Sequence, residues 1–140
     1  MFDDKKADRA VQFFENYLTH TKTVEWAGKP FLLDMPWQRN LIRNIYGTVD
    51  DNGFRQYREV YVEIPKKMGK SEVAAGIALK QLIADGEIGG EVYSAAADRN
   101  QASIVFDVAA QMVRNNRDLS KRLRILDSQK RIIAPKAGSF

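Results

Sequence analysis

The octapeptide Ile64-Pro65-Lys66-Lys67-Met68-Gly69-Lys70-Ser71 concentrates the chemistry of this 140-residue chain. It sets a glycine, a lysine and a hydroxyl in succession, directly ahead of an apolar-periodic run. A triphosphate is held by backbone N–H groups gathered at the positive end of a helix dipole. Gly69 would let the backbone approach closely, Lys70 would bridge the β- and γ-phosphates, and the Ser71 hydroxyl would ligate Mg²⁺. The phosphate-loop pattern carries a glycine five residues before Gly69, where Ile64 stands in this chain. The competing reading of the loop is a basic turn that caps a helix. Lys66 and Lys67 would either touch phosphate or balance Glu59 and Glu63. Pro65 to Ser71 is therefore the candidate nucleotide-binding segment.

Trp37-Gln38, at the start of a helical run, is a second candidate. A glutamine amide donates and accepts at once, so it can pair both N6 and N7 of an adenine edge. Trp37 fits a core position or a stacking platform. A hydrolase also needs an acidic strand end to organise Mg²⁺. Leu123-Arg124-Ile125-Leu126-Asp127 is the nearest match, but its internal arginine and the turn after it argue for an edge hairpin. Asp98 has a simpler role as a helix cap, with Gln101 in the capping-box position. The residues thus compose half a nucleotide site.

Elements able to hold these groups follow from periodicity. Residues 5–18 place Ala7, Ala10, Val11, Phe14, Tyr17 and Leu18 on one helical face. Pro36 suits a first helical turn, and Trp37, Leu41, Ile42 and Ile45 continue that helix to about Tyr46. Asp50 to Gly53 is a turn, and Arg58–Ile64 is β-branched and alternating, a strand ending at Pro65. A helix runs from about Gly69 to Ala84, a second strand from Glu91 to Ala97, and a further helix after Asp98. Leu123–Leu126 and Arg131–Ala134 flank a hairpin turn. Strand, helix, strand, helix at this spacing predicts an α/β fold with a parallel sheet.

Composition narrows the function class. The chain lacks cysteine, which excludes disulfides, thiolate zinc sites and a cysteine nucleophile, and its lone His20 excludes a histidine-rich metal site. No apolar run approaches the roughly 18 residues that cross a bilayer. The polar start Met1-Phe2-Asp3-Asp4 is unlike a signal peptide, so a soluble, cytosolic chain is expected. The net charge of +4 is uneven. Residues 111–140 carry Arg114, Arg117, Lys121, Arg122, Arg124, Lys130, Arg131 and Lys136 against Asp118 and Asp127. That segment reads as a solvated surface or a phosphate-contacting one.

The sequence resembles the large terminase subunit of tailed bacteriophages, specifically its N-terminal ATPase half. The similar stretches are Ala7–Phe14, Trp26–Leu33, Pro36–Gln38, Gly53–Tyr61, Ile64–Ser71 and Val92–Ala102, in order over most of the chain. The resemblance implies a P-loop NTPase-type three-layer fold with a parallel sheet, incomplete here, with an N-terminal helical segment and a C-terminal hairpin. Residues 1–57 would form the helical, adenine-side region and 58–140 the start of the βαβ core. The implied cofactors are ATP and Mg²⁺. Lys70 becomes the catalytic phosphate-loop lysine, Ser71 the Mg²⁺ ligand and Gln38 the adenine reader. The family often has a proline-basic-basic loop before Gly-Lys-Ser, which accommodates Ile64. Lys66 stands where arginine is frequent, and lysine cannot make the forked guanidinium contact. An arginine finger from a sister subunit would then come from Arg122, Arg124 or Arg131. Ser94 to Gln101 corresponds to a junction that couples nucleotide state to DNA movement.

The implied activity is ATP-driven movement of double-stranded DNA into a phage procapsid, in the host bacterial cytoplasm and away from any membrane. The implied partners are the portal protein, a small terminase subunit and sister subunits in a homo-oligomeric ring. An endonuclease half follows in the family, and the chain reads as a fragment ending before it and before the Walker B acid. On its own it would bind ATP weakly, hydrolyse it poorly and self-associate through exposed strand edges. Two other classes share features with it. A helicase-type P-loop motor has the same glutamine and Gly-Lys-Ser, and a non-enzymatic DNA-binding module would use only the basic segment.

Overall fold

A computed structural model of the chain describes residues 1–21, 28–33, 35–65, 69–84, 90–134 and 138–139. Helix α1 (Asp4–Tyr17) starts at Asp3, whose carboxylate accepts from the Lys6 N–H at 3.2 Å. Helix α2 (Pro36–Gly47) opens on its proline. Its Arg43 pairs with Asp4 at 3.1 Å and with Asp8, and Arg39 reaches Glu15 at 3.0 Å, so α2 is tied along α1. The Asp50–Gly53 turn forms as expected, the Asp50 carboxylate accepting from the N–H groups of Asn52 and Phe54.

Helix α3 (Lys70–Ile83) and helix α4 (Arg99–Asn115) pack together, and a single apolar core runs through all four helices. Phe14, Leu18, Phe31, Leu33 and Ile42 fill its first half, and Leu79, Met112, Val113, Leu119 and Ile132 its second. The crossing of α1 and α3 depends on Gly76: a Cβ built there would lie 2.3 Å from the Phe14 ring.

Strand β1 is only Gly90–Glu91. A short helix α5 (Arg117–Arg122) follows α4, then β2 (Arg124–Leu126), a 3₁₀ turn (Asp127–Gln129), β3 (Arg131–Ala134) and β4 (Gly138–Ser139). The sheet order is β1-β4-β3-β2. Strands β2 and β3 form the expected hairpin, with Ile125 opposite Ile132, and only the β1–β4 pair is parallel.

The fold is thus mixed helix and strand, but the parallel βαβα sheet expected from periodicity is not what the described residues form. Arg58–Ile64 joins no strand and Glu91–Ala97 pairs only at its first residue. The reason is hydrogen bonding. A β-branched run becomes a strand only when a neighbour completes its ladder, and no described segment pairs with Arg58–Ile64 in a ladder. Val60, Tyr61 and Val62 stay exposed, Tyr61 to 86%. No described helix is long and apolar enough to cross a membrane.

Candidate functional site

The site is built on the first turn of α3. Gly69 stands at its start with φ 82° and ψ 20°, a left-handed conformation that glycine adopts without a Cβ penalty. The adjoining Lys70 is exposed, and its Nζ donates to the Ile64 carbonyl at 3.0 Å. Ser71 is half-buried in the same turn and Pro65 is exposed. Lys66, Lys67 and Met68 lie outside the described residues.

Gln38 reaches this turn from the start of α2. It is 4% exposed, and a Cβ added to Gly69 would come within 2.7 Å of its Nε2. Gly69 is therefore required twice, by its dihedral and by the amide lying against it. Trp37 is half-buried against the apolar core, the core role rather than an open platform. Its indole Nε1 is buried with no hydrogen-bond partner among the described residues.

Sequence reasoning missed two members of the site. Glu72, the residue after Ser71, is buried, and its Oε2 lies 2.9 Å from His20 Nδ1. The Thr21 N–H donates to Oε1 of the same carboxylate at 3.4 Å. An acidic residue following Gly-Lys-Ser was visible as a first-turn carboxylate. Nothing in the sequence pointed to a histidine 52 residues upstream.

The other candidates sit elsewhere. Asp98 caps α4, accepting from the Gln101 N–H at 2.9 Å, as expected. Asp127 takes both of its short contacts, 2.9 and 2.7 Å, from Arg114 and turns the β2–β3 hairpin. Arg122, Arg124 and Arg131 are all exposed, and the β2–β3 register puts Arg124 and Arg131 on one face. Tyr93 donates to Glu91 at 2.6 Å, and that bond and charge raise its hydroxyl above the usual tyrosine range. A shallow apolar cleft of about 450 Å³ lies between α3, at Ala74 and Ile77, and residues 92–95. No described group of three histidine or carboxylate side chains converges to hold a metal ion.

Residues 36–139 match the family model described as terminase large subunit, ATPase domain. The chain is 30% identical over 129 residues to the terminase large subunit of Enterobacteria phage HK97, covering 91% of this chain and 24% of the relative. It is 28% identical over 140 residues to the terminase large subunit of Lactococcus phage p2, covering 91% of this chain and 25% of that protein. The crystal structure of the HK97 bacteriophage large terminase is similar over 99% of this chain and 26% of its own length, with a TM-score of 0.78 and 28% identity. The chain thus spans about a quarter of the length of these relatives.

Proposed function

The chain belongs to the family of terminase large subunit ATPase domains, and from that premise we infer that it carries the nucleotide-binding turn of a phage DNA-packaging ATPase. One observation carries the reading. Gly69, in a left-handed conformation, opens α3 with Lys70 and Ser71 in its first turn, and Gln38 lies against that glycine. The N–H groups of that turn face no side-chain cap from residue 69, so they suit an anion. Lys70 Nζ, held at the Ile64 carbonyl, needs only to exchange that oxygen for a phosphate oxygen. The Ser71 hydroxyl would hold Mg²⁺, whose charge would offset that of the phosphates. Pro65, Lys66, Lys67 and Met68 complete the loop, and Gln38 links it to the adenine edge.

Residues 1–57 then form the adenine-side helical region and 58–140 the start of the nucleotide core. The three-layer parallel sheet of that core would use Arg58–Ile64 and Glu91–Ala97. The apolar cleft between α3 and residues 92–95 and the exposed Val60 and Tyr61 support that assignment. We assign the whole protein to packaging of duplex DNA into a procapsid, as a homo-oligomeric ring on the portal with a small terminase subunit, in the host cytoplasm. An endonuclease half belongs to the same assignment. Hydrolysis by these residues alone should be slow, because no described carboxylate cluster accompanies Ser71.

Calorimetry with MgATPγS on this chain and on Lys70→Ala tests the site. Binding that disappears in the folded variant supports it. Equal binding in both would overturn the role of Lys70, and retained DNA affinity with no nucleotide binding would favour a plain DNA-binding module.

A further inference from the structure

We propose that His20 is a positioning residue that holds the Glu72 carboxylate away from the phosphate-binding N–H groups of α3, a proposal that rests on the nucleotide reading of that turn. Glu72 is the third residue of α3, counted from Lys70. In a capping box, a glutamate at the third position folds back and accepts from the backbone N–H of the cap residue, which is Gly69 for α3. That habit would place a carboxylate where phosphate has to bind. In this structure both oxygens point elsewhere, Oε2 to His20 Nδ1 at 2.9 Å and Oε1 to the Thr21 N–H at 3.4 Å. An ionised carboxylate only accepts, and the imidazole can present an Nδ1–H to it.

His20 is itself firmly placed. Its backbone N–H donates to the Lys29 carbonyl at 2.9 Å, and its carbonyl accepts from the Gly28 N–H at 2.8 Å. Its ring lies 4.7 Å from that of Phe31, which is buried in the core. The neighbouring Thr19 hydroxyl accepts from Asn115 of α4 at 3.0 Å. The grip on Glu72 therefore comes from a segment anchored to both halves of the core. It acts one residue beyond Ser71, through the two contacts of Glu72 with His20 and the Thr21 N–H.

The test measures MgATPγS affinity by calorimetry for the wild-type chain, His20→Ala, His20→Gln and the double variant His20→Ala with Glu72→Gln. Loss of one hydrogen bond to a charged group sets the scale, so His20→Ala should weaken binding by about tenfold. His20→Gln keeps a donor for the carboxylate and should retain most of the affinity. Removing the anion in the double variant should restore binding that His20→Ala lost. A folded His20→Ala chain with unchanged affinity overturns the proposal, as does a double variant weaker than His20→Ala, which is the signature of a purely structural tie. If the wild-type chain binds no MgATPγS, the nucleotide reading itself falls. The amide resonances of Gly69 and Lys70 then decide the placement of Glu72. They should shift in His20→Ala and return in the double variant, and resonances that stay put would refute it.

Discussion

Helices α3 and α4 pack side by side yet begin in opposite ways. Helix α4 closes its own end: Asp98, in an extended conformation, accepts from the Gln101 N–H at 2.9 Å. Helix α3 opens on Gly69, which has no side chain to offer, and is braced by groups remote in sequence, Gln38 against the glycine and His20 on Glu72. A helix end satisfied by its own cap has little to give a ligand. One restrained from its flank keeps its N–H groups available and still holds its direction. Under the nucleotide reading proposed above, the difference separates a structural helix start from one that takes an anion.

The strongest way to break that contrast is Gly69→Val. It forces a β-branched residue into a left-handed conformation and drives a Cβ onto the Gln38 amide, so stability should fall by about 3 kcal/mol. Denaturant unfolding measures the loss. Adding Gln38→Ala should return roughly 1 kcal/mol as a coupling between touching residues. Strict additivity would mean that the amide does not brace the glycine. A smaller effect is expected at the other helix. Asp98→Ala should cost about 1 kcal/mol, the worth of an N-cap, with MgATPγS affinity unchanged. A nucleotide defect in that variant would erase the distinction between the two ends. The smallest effect belongs to the exposed pair of Lys130 and Asp107, 3.1 Å apart. Asp107→Asn should change stability by no more than about 0.5 kcal/mol, and less in high salt.

The helices were legible because each signals itself locally. Asp3 and Asp98 cap, Pro36 opens a first turn, and apolar residues recur every three or four positions through α1, α2, α3 and α4. Helix α5 escaped notice. Six residues carry too little periodicity, and it is fixed by tertiary contacts: buried Leu119, and Ser120 donating to the Val113 carbonyl at 2.6 Å. The expected strands and the structure part company where a ladder partner decides the outcome. Arg58–Ile64 has the right residue types, but pairing is not a property of the segment itself. The β2–β3 hairpin was readable because its partner lies only four residues away. Of the site, Gly69, Lys70 and Ser71 declared themselves by adjacency, and Gln38 by its place at a helix start. His20 and Glu72 did not, since their meeting is fixed by how the end of α1 passes α3.

Gly76 has a mechanical consequence. Because the Phe14 ring occupies the space of a missing Cβ, α3 cannot slide or roll past α1 without tearing that ring from its seat. The ion pairs of Arg39 and Arg43 link α1 to α2 in turn. The three helices therefore pack as one block, with Gln38 and Gly69 in contact on it. A load applied at either end of α3 is then met by the whole block rather than absorbed within one helix.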